Sequence, residues 1–112
     1  MLRKEESLKG QKRFEQIFKK GRRLFGKKLA LYWLKNFTLQ NRYGIVVSLK
    51  ISKKSTQRNK IKRWIRVILA QNREKIEPGF DLIVRVLKKI ESFEEVQQEL
   101  SFLLKRSRLI KK

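Results

Sequence analysis

The sequence predicts a single α+β domain in which a four-stranded sheet packs against helices in the order αβββαβα. Two observations lead to this prediction. Three stretches place apolar residues at helical spacing, and the stretches between them alternate or run together as strands do. In addition, 112 residues suffice for one domain, no period repeats, and the single proline, Pro78, argues against a long linker. We therefore treat residues 1–112 as one domain, a sandwich of sheet and helices.

The chain opens with residues 1–7, MLRKEES, where we expect a flexible arm. The next stretch, KGQKRFEQIFKKG, predicts a short helix because Phe14, Ile17 and Phe18 recur at i, i+3 and i+4. Gly21 offers a C-terminal stop for this helix. Apolar side chains at such spacing usually pack into a core, and we assign Ile17 to the core first.

Two extended segments follow, at residues 22–25 and 28–35. The second, KLALYWLK, is apolar on both faces, so we expect layers that cover both faces of this strand. A polar link then leads to RYGIVVSLK at residues 42–50, which alternates as a strand does. The economical connection between residues 28–35 and 42–50 is an antiparallel hairpin.

The stretch QRNKIKRWIRVIL, from Gln57 to Leu69, predicts a helix with two different faces. The apolar stripe consists of Ile61, Trp64, Ile65, Ile68 and Leu69. The polar arc consists of Arg58, Asn59, Lys62, Arg63 and Arg66. Ser55 or Thr56 can cap the N-terminus, and the helix should end near Asn72. A solvated helix face usually mixes both charge signs, so an arc without any acid favours an anionic ligand.

After this helix, the turn EKIEPGFD contains the breaker pair Pro78 and Gly79. The apolar run LIVRV at residues 82–86 then predicts a third long strand, which we place centrally in the sheet. Ser92 and Glu95 form a predicted capping box for a final helix. The apolar stripe of that helix is Phe93, Val96, Leu100, Leu103 and Leu104.

Charge points to a polyanionic partner. The chain carries 31 Lys and Arg against 10 Asp and Glu, a formal charge of +21, and no acid lies between Gln16 and Arg73. Nucleic acid is favoured over a membrane surface, because no run of about 18 apolar residues exists and the N-terminus lacks the apolar core of a signal peptide. We expect a cytoplasmic protein. The absence of Cys and His excludes disulfides, thiolate or imidazole metal sites and an imidazole general base.

These residues carry a resemblance to a known family. The motif QRNKIKRWIR lies between GIVVSLK and PGFDLIV, and in that order it resembles the protein component of bacterial ribonuclease P. FEQIFKKGRRLFGKKLALYWL is similar to the opening of the same family, so the resemblance spans nearly the whole chain. Its most specific part is the pattern of Arg58, Asn59, Lys60, Lys62 and Arg63. The family usually has Arg in place of Lys60, and Ser-Lys-Lys where this chain reads Ser48, Leu49 and Lys50.

The resemblance implies a small protein that binds a catalytic RNA, the two together removing 5′ leaders from precursor tRNAs by metal-dependent hydrolysis. The implied contacts with the RNA subunit are Arg58, Asn59, Lys60, Lys62, Arg63 and Arg66. A cleft between the first helix and the sheet would receive the single-stranded leader. The implied leader contacts are Phe14, Phe18 and Tyr32, with Lys50 and Lys53 on phosphates. The family also connects the two parallel strands around its basic helix by a left-handed crossover, against the general rule.

The residues themselves also indicate that the RNA performs the chemistry and the protein binds RNA. Hydrolysing a phosphodiester without imidazole requires clustered carboxylates that hold Mg²⁺. The closest group in sequence, Glu74, Glu77 and Asp81, lies on a breaker turn, and we interpret these acids as loop solvation and helix termination. We therefore expect no catalytic residue and no metal site in the protein, with Mg²⁺ bound mainly by the RNA. The expected partners are the catalytic RNA and precursor tRNA, without an obligate protein partner.

Two other classes of function remain open at this point. A ribosomal or other structural RNA-binding protein would have the same charge and size, and only the motif and the aromatic cleft separate the two classes. A helix-turn-helix DNA regulator would place another helix three or four residues before the recognition helix, whereas ISKKST is preceded by a strand.

Overall fold

The structure is a computed structural model and describes residues 2–110. After a short 3₁₀ turn at Lys4–Glu6, the helices and strands follow the predicted order, which confirms the α+β fold. They are α1 (Gln11–Lys20), β1 (Arg22–Phe25), β2 (Leu29–Lys35), β3 (Arg42–Val46), α2 (Ser55–Gln71), β4 (Phe80–Val86) and α3 (Phe93–Arg106).

The four strands form one sheet in the order β1-β2-β4-β3. The predicted hairpin between β2 and β3 is wrong, because β4 lies between them, antiparallel to β2 and parallel to β3. The central position predicted for β4 is confirmed. Since β3 and β4 are parallel neighbours, α2 belongs to a βαβ unit, and the left-handed sense of its crossover stays a prediction.

Side chains from both faces of the sheet are buried, as the apolar pattern of β2 predicts. On one face, Leu29 and Leu31 pack with α2 and α3 into the larger core. On the other face, Tyr32 joins Ile17 of α1 and Ile83 of β4 in a smaller core. The assignment of Ile17 to the core is confirmed, since its side chain is fully buried. The helix α1 is therefore the layer that covers the second face.

Gly21 ends α1 as predicted, and space rather than an unusual backbone angle requires glycine there. Its N–H donates to the Ile17 carbonyl at 2.8 Å. A Cβ at this position would lie 2.5 Å from the Ile17 carbonyl oxygen and 2.8 Å from that of Trp33, so the chain could not turn this tightly with a side chain.

The start of the chain is docked onto the domain, which contrasts with the flexible arm predicted for residues 1–7. Glu6 is buried and accepts hydrogen bonds from Arg73 Nε (2.9 Å) and Nη2 (2.8 Å), which lower the pKa of its carboxyl. Ser7 forms a parallel bridge to Tyr43 of β3, and the Leu8 N–H donates to the Tyr43 carbonyl at 2.9 Å. Met1 lies outside the described residues.

The helix caps differ from the predictions at one helix and agree at the other. Lys54 is the N-cap of α2 and makes no side-chain capping bond, so the prediction of a Ser55 or Thr56 cap is wrong. Both of those residues are already in the helix, which ends beside Asn72 as expected. At α3, Ser92 Oγ accepts from the Glu95 N–H at 3.2 Å, which confirms the first half of the predicted capping box.

Candidate nucleic-acid interface

The predicted cationic face of α2 is present on the surface. We call its six residues the basic arc: Arg58, Asn59, Lys60, Lys62, Arg63 and Arg66. The stripe opposite packs into the larger core, where Ile61, Ile65, Ile68 and Leu69 are buried. This burial fixes the rotation of α2 and turns the basic arc outward.

Members of the basic arc at its two edges make contacts within the chain. Arg58, half-buried beside the apolar stripe, donates from Nη1 to the Ser52 carbonyl at 2.9 Å, which ties the start of α2 to the loop before it. Lys60 lies at the other edge, with Nζ 5.2 Å from the centre of the Trp64 ring. Asn59, Arg63 and Arg66 are exposed.

The charge of the basic arc is not neutralised by carboxylates of the described chain. Ion pairs join carboxylates to Arg13, Lys28, Arg42 and Arg73, and within residues 2–110 no side chain of the basic arc forms one. Like charges on one helix face repel one another in water, and a polyanion relieves that repulsion. The arc can therefore bind phosphates without first breaking ion pairs.

The predicted aromatic group lies where α1 meets the sheet. Phe14 is half-buried and packs over Gly44 of β3 so closely that a Cβ at Gly44 would lie 2.6 Å from Phe14 Cζ. Phe18 is also half-buried, and its ring and the Tyr32 ring form a T-shaped pair at a centroid distance of 4.7 Å. Part of each ring is accessible, and the assignment of both phenylalanines to leader binding stays a prediction.

Tyr32 lies between these rings and is almost inaccessible. Only 4% of it is exposed, because Phe18 covers one side, Phe25 approaches to 6.1 Å, and the Arg23 guanidinium lies 6.0 Å from the ring centre. It therefore offers little area on which a base could stack, and it is the weakest member of the predicted leader-binding group.

Two further candidates for nucleic-acid binding on this face were not predicted from the sequence. Phe25 and Arg85 are both exposed, and the register aligns Phe25 with Ala30 and Ala30 with Arg85 across neighbouring strands. By alternation, they share the face of the sheet that carries Tyr32. A signal existed for Arg85, which is the single cation inside the apolar run LIVRV.

The predicted leader contacts Lys50 and Lys53 lie near the end of the sheet that carries Arg85. Val46, the last residue of β3, pairs with Arg85, and the loop that follows carries Lys50 and Lys53 to the start of α2. Both lysines are exposed. The sheet topology thus brings Arg85, the two lysines and the N-terminal end of the basic arc to the same end of the domain.

A cavity of about 400 Å³ lies beside Phe14 of the aromatic group and reaches Arg66 of the basic arc. It lies between the N-terminal segment, α1, β3 and α2, and its lining includes Lys9, Phe14, Gly44 and Arg66. A single strand of nucleic acid in this cavity would meet an aromatic edge on one side and a cation on the other. This is the geometry that a groove for single-stranded nucleic acid requires.

One of the three acids predicted to solvate a loop, Asp81, is instead buried in the domain. Asp81 is fully buried at the start of β4 and accepts from Arg13 Nε at 2.7 Å, Arg42 Nη2 at 2.7 Å and Asn36 Nδ2 at 2.9 Å. The prediction is therefore wrong for Asp81, although Glu74 is exposed as expected. We call Asp81, Arg13, Arg42 and Asn36 the Asp81 cluster. It joins α1, β3, β4 and the β2–β3 loop.

The Asp81 carboxylate is held in its charged form. Burial on its own raises the pKa of Asp81, but the hydrogen bonds from Arg42, Asn36 and Arg13 outweigh burial and bring the pKa below its ordinary value. A carboxylate engaged by three donors is not available as a metal ligand. Within residues 2–110, no group of three or more acids, His or Cys could hold a metal ion. In the same range, no helix is both long and apolar enough to cross a membrane.

Comparisons with known proteins point to one family. The family model described as Ribonuclease P matches residues 2–108. The Ribonuclease P protein component of Thermotoga maritima is 40% identical over 107 residues, which cover 90% of this chain and 91% of that protein. The corresponding protein of Clostridioides difficile is 36% identical over 105 residues, or 91% of each chain.

Solved structures show the same fold. The RNase P protein of Staphylococcus aureus superposes with a TM-score of 0.87 at 28% identity, covering 95% of this chain and 98% of that chain. The RNase P protein of Thermotoga maritima superposes with a TM-score of 0.81 at 38% identity, covering 90% of this chain and 96% of that chain. The similarity in fold therefore extends over almost the entire domain.

Proposed function

Because this chain belongs to the ribonuclease P protein family, and is thus a subunit of an RNA-processing endoribonuclease, we propose that its basic arc binds the catalytic RNA. The observation that carries this proposal is the uncompensated charge of the arc: Arg58, Lys62, Arg63 and Arg66 have no carboxylate partner in the described chain. Arginine and lysine on a rigid helix fit a fixed set of phosphates. Asn59, uncharged among them, adds a directional hydrogen bond.

The 5′ leader of precursor tRNA is proposed to lie along α1, against the accessible parts of the Phe14 and Phe18 rings. Half-buried rings offer a face to a base while the rest of the ring anchors to the core. Arg85, Lys50 and Lys53 would hold the phosphates of the same strand. Stacking accepts any base, which suits a subunit that serves many precursors.

The chemistry is proposed to belong to the RNA. The chain has no imidazole, and its most buried carboxylate is engaged by two arginines. Mg²⁺ would be held mainly by RNA phosphates, where it would supply Lewis-acid chemistry for the hydrolysis. The protein reduces repulsion between the two RNAs and fixes their register. We propose that the protein acts in the cytoplasm.

The purified protein is expected to show no specific nuclease activity, yet to stimulate cleavage of precursor tRNA by the RNA subunit at low Mg²⁺. The stimulation should fade as Mg²⁺ rises, because a cation that replaces the protein's charges makes them less necessary. Initial cleavage rates across a Mg²⁺ series, with and without protein, measure this. Cleavage at the mature 5′ end by protein from which all RNA had been destroyed would contradict the assignment of chemistry to the RNA.

Phe18→Ala is expected to weaken binding of precursor tRNA by the holoenzyme but not of mature tRNA. The missing stacking corresponds to about 1 to 3 kcal/mol per base. Binding of both RNAs is measured alongside thermal unfolding of the free protein. The matched control is the neighbouring Ile17→Ala, which removes a fully buried side chain and should cost about 2 to 5 kcal/mol of folding free energy.

If Phe18→Ala destabilised the fold as strongly as Ile17→Ala, or weakened both RNAs equally, Phe18 would be a core residue only. Tyr32→Ala is a second comparison. Because Tyr32 is buried, its loss should appear chiefly in the melting temperature rather than in the ratio of the two affinities.

A further inference from the structure

The loop between β2 and β3 exposes two large apolar side chains to water. Phe37 is 93% exposed and Leu39 is 91% exposed. Single exposed apolar residues are ordinary on protein surfaces. Here two of them, separated by one residue, lie at the tip of one loop, and neither packs onto the domain. We call Phe37 and Leu39 the apolar tip.

Hydrogen bonds hold this loop in one shape. Asn36 Nδ2 donates to the Gln40 carbonyl at 2.8 Å, and Asn36 Oδ1 accepts from the Thr38 N–H at 2.9 Å and from Thr38 Oγ1 at 2.8 Å. The Gln40 N–H in turn donates to Thr38 Oγ1 at 3.1 Å. Asn36 also donates to the buried Asp81 at 2.9 Å. A loop fastened from inside in this way keeps its apolar tip pointing outward.

The backbone at Phe37 is in an unfavourable region for a ring-bearing residue. Its φ of 59° lies in the left-handed region, where Gly or Asn is accommodated more cheaply. Such strain persists where the surroundings over-determine the conformation, and it concentrates at functional positions. An aromatic ring that is both strained and fully exposed contributes nothing to this domain's own packing.

The surroundings of the tip are cationic. Lys35 at the end of β2 is exposed, and Arg13 and Arg42 lie in the Asp81 cluster, where 22% and 38% of their side chains remain accessible. Two acids adjoin the loop. Asp81 is buried and paired with both arginines, and Glu77, whose backbone carbonyl accepts from Asn41 Nδ2, is half-buried. A partner that covers the apolar tip therefore meets positive charge around it. Nucleic acid, which combines flat apolar bases with phosphates, fits this combination better than a protein pocket does.

We propose that Phe37 and Leu39 form a second RNA contact, in which Phe37 stacks on an unpaired base or on the end of a base-paired stem and Leu39 packs beside it. This inference rests on the proposed function as an RNA-binding subunit. The apolar tip follows Lys35, which pairs with Phe80 at the start of β4, whereas Arg85 and the β3–α2 loop lie near its end. Strands of this length span about 20 Å. The tip therefore reaches RNA that the N-terminal part of the basic arc does not.

The test uses Phe37→Asn, which removes the ring but suits the left-handed backbone. This variant should unfold at the same or a higher temperature than the wild type. Its affinity for RNA should fall roughly fivefold to a hundredfold, the loss expected for one stacked base. The slope of log affinity against log salt should stay unchanged, because no phosphate contact is removed. Phe37→Tyr, which keeps the ring, should bind as the wild type does.

Two titrations identify which RNA the tip contacts: free protein against the catalytic RNA, and assembled holoenzyme against precursor tRNA. A loss of affinity in either one supports the inference and names the RNA. Unchanged affinity in both, a changed salt slope, or failure of Phe37→Tyr to bind like the wild type would overturn it. If the wild-type protein itself failed to bind the catalytic RNA, the proposed function would fail, so the two failures are distinguishable.

Discussion

Asp81→Ala is expected to lower the free energy of unfolding by about 3 kcal/mol, because it removes the acceptor shared by three side chains from three parts of the fold. Breaking a buried ion pair usually costs about 3 to 5 kcal/mol. The lower end applies here, since Arg13 and Arg42 keep 22% and 38% of their side chains accessible and can turn toward water. Denaturant unfolding measures the change.

The matched control is Glu95→Gln, which breaks the ion pair with Lys28 near the surface. Both partners of that pair are 37% exposed, so its loss should leave the free energy of unfolding nearly unchanged. A similar change in the two variants would contradict the special role of Asp81.

The acid side of the stability profile provides a second measurement of Asp81. Its folded pKa lies below its unfolded value, so it stabilises the fold fully above the unfolded pKa, near 4, and loses that contribution as pH falls through the folded pKa. Asp81→Asn removes this carboxyl. The variant should therefore lose less stability than the wild type between about pH 4 and pH 2. Parallel acid-unfolding curves for Asp81→Asn and the wild type would contradict this prediction.

Replacing Arg58, Lys62 and Arg66 together by Ala is expected to weaken binding to the RNA subunit on the order of a thousandfold. Each cation contributes a charge-assisted hydrogen bond of about 1.5 kcal/mol or more, and tenfold in affinity corresponds to about 1.4 kcal/mol. The slope of log affinity against log salt should shrink by about 0.7 to 0.9 for each phosphate that is no longer bound. Titrations across a salt series measure both quantities.

A second triple variant tests whether position matters as well as charge. Lys88, Lys105 and Arg106 are exposed and lie outside α2, and their replacement by Ala removes the same three charges. This control should bind nearly as the wild type does. Equal reductions in affinity for the two triple variants would show that binding follows net charge and that the basic arc is not a distinct site.

Asn59→Ala should weaken affinity for the RNA subunit with little change in salt slope, because the Asn59 side chain carries no charge.

The sequence predicted the elements of the fold well, because apolar periodicity is a local property. It failed on strand pairing, which depends on residues far apart in the chain. The apolar pattern contained an unused signal: β2 and β4 are apolar on both faces, and two such strands are best buried as neighbours. β3, with Gly44 and an arginine, is suited to an edge. The short β2–β3 link favoured a hairpin only by proximity.

The basic arc was predictable for the same reason as the fold, since its residues share one helix. The Asp81 cluster was not, because its members come from positions 13, 36, 42 and 81 and meet only in the folded domain. The exposure of Phe37 and the burial of Tyr32 were equally hidden, since both are aromatic residues in or next to strands. Only the tertiary packing of α1 and the hydrogen bonds of the loop distinguish them.

The docked N-terminal segment also bears on how this chain behaves before it meets RNA. An open sheet has two edges at which unpaired backbone groups can recruit a strand from another molecule. At one edge, β3 is met by Ser7 and by the Leu8 N–H. At the other, β1 is only four residues long and exposes Arg22 and Arg23. The docked segment at one edge and the charge at the other both oppose edge-to-edge aggregation of the subunit before it binds RNA.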